Sequence, residues 1–244
     1  MMRDSMSRVR AVIGKDLAEF RRNRLIVASA AILPVLFLVS PTTSILLVNA
    51  HGLASVGRRV DTSLFIPLLI PVFVPALLSS YAVIGERDQG TLEPVLTTPV
   101  SRAELLIGKA VAVFLPSVVL AYLMFGVFLA ITQFATSPAV AAAVRHAPQL
   151  PATLVLIPLL AAWAIWVGLA VSARASDTRV AQQLSILGSL PPVALVALMS
   201  LHVISATFGL VAALTGALLA VDCAACLLVA RLFDRERLVT GRQH

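Results

Sequence analysis

The chain has 244 residues, of which 59% are hydrophobic and only 13% charged, with a mean hydropathy of +0.96. Soluble proteins are charged at about 25% of positions because water must solvate their surface, so a soluble globular domain is excluded and most of this surface faces lipid. The formal charge of +7 is unaccompanied by any nucleic-acid-binding motif, which leaves membrane topology as its cause.

Residues 1–24 come first. Val9, Val12, Ile13, Leu17 and Phe20 recur at helical spacing, with Arg8, Lys15, Glu19 and Arg22 largely on other faces. That pattern predicts a basic amphipathic helix lying in the headgroup layer. The basic segment is too long, and the apolar stretch after it too extended, for a cleaved signal peptide.

A membrane span needs roughly 20 apolar residues, because the hydrocarbon core is about 30 Å thick and a helix rises about 1.5 Å per residue. Six stretches meet this: Leu25 to Val48, Ser63 to Gly85, Leu105 to Thr132, Ala152 to Ala173, Leu184 to Leu201, and Thr207 to Ala230. The third is longer than a perpendicular span requires, which implies tilt or an extension into water. The fifth contains Pro191 and Pro192, which remove backbone donors and should kink or break it against protein rather than lipid. The outer connection from Asn49 to Thr62 reads as a loop, and in the one from Gln133 to Pro151 a short helix is expected over Ala139 to Val144.

Basic residues are distributed unequally between the two sides of this six-span plan. Seven precede the first span; Arg87, Arg102 and Lys109 lie in the second-to-third connection, Arg174 and Arg179 in the fourth-to-fifth, and Arg231, Arg235, Arg237 and Arg242 in the tail over residues 231–244. The opposite side holds only Arg58, Arg59 and Arg145. By the positive-inside rule both termini are cytoplasmic. The fold class is therefore all-α, a single polytopic domain spanning residues 1–244.

The connection over residues 86–104 is the informative segment, and with the first turns after it reads ERDQGTLEPVLTTPVSRAELLIGK. Thr91 can cap a short helix in which Leu92, Val95 and Leu96 share a face beside Glu93, after Gly90 has interrupted the charged run of Glu86 and Arg87. Pro99 then breaks the chain. Ser101 with Glu104 has the spacing of a capping box, so the third span should begin at Arg102. A short amphipathic helix crosswise between two spans is a suitable plug for a groove on a cytoplasmic partner.

This segment closely resembles the cytoplasmic signature of ABC-2 type permeases, E-R-x-x-G-T-L-E followed by T-P-[VL]-S-R-x-E-[IL]-x-x-G-K. Matching positions are Glu86, Arg87, Gly90, Thr91, Leu92, Glu93, Thr98, Pro99, Val100, Ser101, Arg102, Glu104, Leu105, Gly108 and Lys109. The resemblance implies a coupling helix that docks into an ATPase subunit and passes nucleotide-driven motion to the spans. It further implies an exporter assembled from two permease copies or paralogues and two ATPases, in a prokaryotic plasma membrane. No G-x-x-x-x-G-K-[ST] loop is present, since Ala103 holds the first glycine position and Ala110 follows Lys109. ATP and Mg would thus be bound by the partner, and none by this chain.

Small outer loops and nearly charge-free spans favour a hydrophobic or amphipathic substrate such as a drug, toxin or lipid-like molecule, with ion export or metal-cofactor maturation as alternatives within the family. Three residues are candidates for the pathway. Asp222, the acid deep in a span, could bind a cationic substrate or a proton, or could be neutral or hydrogen-bonded within the bundle. Trp163 and Trp166 could touch an aromatic substrate or serve packing. Cys223 and Cys226 have C-x-x-C spacing, which would suit an intramembrane thiol oxidoreductase, but alanine-rich surroundings at lipid depth are a poor setting for a thiolate.

Overall fold

The computed structural model describes residues 2–48, 56–88, 101–175, 177–201, 203–204 and 207–232. Among these there is no strand; the chain is all-helical. In chain order the helices are α1 (Met2–Arg22), α2 (Arg24–Leu46), α3 (Val56–Phe65), α4 (Ile70–Asp88), α5 (Arg102–Ala135), α6 (Pro138–Arg145), α7 (Gln149–Ser172), α8 (Thr178–Gly188), α9 (Leu190–Ser200) and α10 (Phe208–Leu232). A 3-10 turn, Ile66–Leu69, joins α3 to α4 around Pro67.

Four described segments are long and apolar enough to cross a membrane: Arg59–Ala82, Ala103–Ala135, Gln149–Ser172 and Phe208–Ala230. The helices α8 and α9, bent by 42° at their junction, make a fifth if counted as one span. The apolar part of α2, Ala30–Leu46, is shorter. Against the loop expected up to Thr62, the chain is helical from Val56, because Val60 and Leu64, one turn apart, both face the core. Thr62 Oγ1 then donates to the Ser200 carbonyl at 2.9 Å, tying this extension to the end of α9. The short outer helix expected over Ala139 to Val144 is present as α6, with Val140, Ala141 and Val144 buried.

The core is built around α4 and α7, which make the most extensive helix–helix contact. Small residues permit it. A Cβ built on Gly168 would overlap the Ser79 side chain, so only glycine allows α7 this close to α4. One turn on, Ser172 Oγ donates to the Ser80 carbonyl at 2.9 Å and accepts from the Ile84 amide at 3.2 Å. A hydroxyl from α7 therefore sits between two groups that would ordinarily bond each other across one turn of α4.

Two of the carbonyls that prolines free in this bundle are taken up by aromatic side chains on neighbouring helices. Pro158 has no N–H for the Leu154 carbonyl four residues before it; Tyr122 Oη on α5 donates to that carbonyl at 2.9 Å. Pro192 likewise leaves the Gly188 carbonyl without its donor, and Trp163 Nε1 on α7 donates there at 3.2 Å. The break in the fifth expected span therefore lies at Ser189, against protein, with the Gly188 carbonyl satisfied. Trp163→Phe keeps the ring and removes the N–H. It is expected to lower stability by about 1–3 kcal/mol, the cost of an unsatisfied buried acceptor, measured by chemical unfolding in detergent; an unchanged transition would show that Gly188 has no need of the indole.

Candidate functional site

Residues 86–101 connect the end of α4 to the start of α5. Glu86 and Arg87 lie in the last turn of α4, and Arg102 opens α5; their side chains are outside the described residues, as are Gly90, Thr91, Leu92, Glu93, Val95, Leu96 and Pro99. What the structure places is the anchorage on either side of them.

At the re-entry point, Ser101 is extended (φ −72°, ψ 159°) and caps α5. Its Oγ accepts from the Glu104 amide at 3.2 Å, while Glu104 Oε2 accepts from the Ser101 amide at 2.8 Å, the reciprocal box expected from the spacing. The same carboxylate does a second job. Arg8 on α1 donates to it through Nε (3.0 Å to Oε2) and Nη2 (2.7 Å to Oε1), a bidentate grip across 96 residues of sequence.

The next turn of α5 presses directly on α1. A Cβ on Gly108 would stand 2.6 Å from Val12 Cγ1, so the absent side chain is what lets α1 reach the α5 backbone. Lys109 follows and is almost wholly buried, at 1% exposure. Its Nζ donates to the Ala82 carbonyl of α4 at 2.6 Å and lies 3.6 Å from Asp16 Oδ2 on α1, itself buried. One ammonium thus joins three helices. A charge taken this far from water persists only where it is paired and hydrogen-bonded.

The departure side is tied equally well. Just before α4 ends, Ser80 and Ile84 are bridged by Ser172 of α7, and Tyr81 Oη accepts from Gln182 Nε2 of α8 at 2.9 Å. The parts of α4 and α5 that flank the connection are thus bonded to α1, α7 and α8 as well as to each other. Among the described residues, no group of three or more His, Cys, Asp or Glu is placed to hold a metal.

Residues 10–233 match the model of the ABC-2 family transporter protein. The chain belongs to the ABC-2 transporter family. No individually curated protein matches it. Membership makes it a multi-pass membrane transport protein rather than a catalytic enzyme, and the matched region takes in most of α1, both flanks of the connection and all of α10.

Within this ABC-2 protein the remaining sequence candidates lie apart from the anchorage. Trp163 is committed to the Gly188 carbonyl, and Trp166 packs partly buried against the core. Asp222 is buried on α10, with Cys223 exposed and Cys226 half-buried beside it, neither in a disulfide. Arg8 and Asp16 carry no local sign of their role. The one available signal for Asp16 is its position, one turn after Val12 on the otherwise apolar stripe of α1.

Proposed function

We propose that this chain is the permease subunit of an ATP-driven exporter, working with a separate ATPase subunit that docks on the 86–101 connection. The observation that carries the reading is the anchorage of the two helices that flank that connection: Glu104 and Lys109 tie the start of α5 to α1 and α4, and Ser172 and Gln182 tie the latter part of α4 to α7 and α8. A loop that only joined two spans would need no such fixture.

In this reading α2, the α3–α4 unit, α5, α7, the bent α8–α9 pair and α10 are six spans, with both termini cytoplasmic in a prokaryotic plasma membrane. The apolar face of Leu92, Val95 and Leu96, flanked by Glu93, enters the ATPase. Two permeases, identical or paralogous, surround a pathway above two ATPases that bind ATP and Mg. Nucleotide binding shifts the population between inward and outward exposure by moving the connection. The substrate is hydrophobic or amphipathic and moves outward.

The test is affinity purification of tagged protein from gently solubilised membranes, beside a Glu93→Arg, Leu96→Asp variant. Wild type should bring down an ATP-hydrolysing subunit and the variant should not. Absence of any ATPase from both preparations would end the reading.

A further inference from the structure

The first halves of α7 and α10 enclose an apolar groove of about 510 Å³, at the end of α5 far from Glu104. Its α10 wall is the stripe Phe208, Val211, Thr215 and Leu219, and Ala152 and Val155 face it from α7. Those α10 positions advance by three or four residues, and the next on the same stripe is Asp222, about 4.5 Å further along the axis.

Asp222 is 8% exposed, and neither carboxylate oxygen has a hydrogen-bond partner among the described residues. Among the described residues of the helices packed against it, no cation lies at comparable depth. The helices packed against α10 are α7 and, less closely, α5. α7 contains no Lys or Arg; α5 has Arg102 and Lys109 only in its first turns, at the other end, and Lys109 is paired with Asp16. On α10 itself Arg231 comes only near the last turn. A carboxylate at mid-span costs about 2.5–3.5 kcal/mol to insert, so it calls for a counter-charge that these helices do not supply.

We propose that the groove and Asp222 together bind a lipophilic monovalent cation, the apolar body in the groove and the charged centre on the carboxylate. As a statement about substrate class this rests on the permease reading; as a statement about binding it does not.

The test is saturable binding of radiolabelled tetraphenylphosphonium to the purified full chain in nanodiscs, with tetraphenylborate as a probe of equal shape and opposite charge. Wild type should bind the cation and not the anion. Asp222→Asn should weaken cation binding at least about tenfold, the effect of losing one desolvated charge pair, and Asp222→Glu should retain it. Gly216→Phe supplies an independent arm: a Cβ there meets nothing within 4 Å, so the ring can fill the groove without straining the helices, and it too should abolish binding. Equal affinity in Asp222→Asn, or no saturable binding in wild type, overturns the proposal even if an ATPase co-purifies. Cation binding with the expected variant pattern but no ATPase would sustain the site and discard the coupled exporter.

Discussion

Lys109→Met is expected to destabilise the fold by about 3–5 kcal/mol, the cost of leaving one member of a buried ion pair uncompensated. Methionine fills similar space, so the loss falls on electrostatics: Asp16 keeps its burial without the ammonium, and the Ala82 carbonyl loses its 2.6 Å donor. The double variant Asp16→Leu, Lys109→Met removes both charges and should recover most of the deficit, since apolar replacement of a whole buried pair is often neutral. Unfolding titrations of the two single variants and the double variant give the interaction energy directly. If the double variant is as unstable as Lys109→Met, the pair is not what holds α1 in place.

Reversing the charge of Glu104 should separate docking from transmission. In Glu104→Arg the capping box is lost and two guanidinium groups confront each other where a bidentate contact stood. Residues 86–100 keep their sequence, so the ATPase should still be recovered, while its response to transported substrate falls on the order of tenfold, within the usual span of coupling energies. Adding Arg8→Glu restores the grip with opposite polarity but not the cap, and should return part of the response. Full substrate-stimulated turnover in Glu104→Arg would show that α1 plays no part in transmission.

The parts of this site that can be read from the chain are those whose partners lie within a turn. Ser101 and Glu104 are three residues apart, and their geometry follows from that spacing alone. Glycine and proline are similarly legible: Pro191 and Pro192 announce the break between α8 and α9. Arg8, Asp16 and Lys109 are different, because their pairing depends on how three helices cross, and local periodicity carries no trace of it. Trp163 belongs with them, since its role becomes visible only when α8 lies alongside. Apolar length marks Arg59–Ala82 and Gln149–Ser172 as crossings, whereas for the shorter apolar helix Ala30–Leu46 length alone does not decide.

The separation of Arg8 and Asp16 from their partners also constrains the order of biosynthesis. α1 is the first helix to leave the ribosome, yet the carboxylate and ammonium that seat it lie at Glu104 and Lys109, on a helix made after α2, α3 and α4. Until α5 has been inserted, α1 lacks its main docking surface and rests on the membrane through its basic residues and apolar stripe. A chain that stalls before that point carries an unseated amphipathic helix whose Asp16 lacks the Lys109 ammonium, a state that membrane quality control could distinguish from the finished bundle.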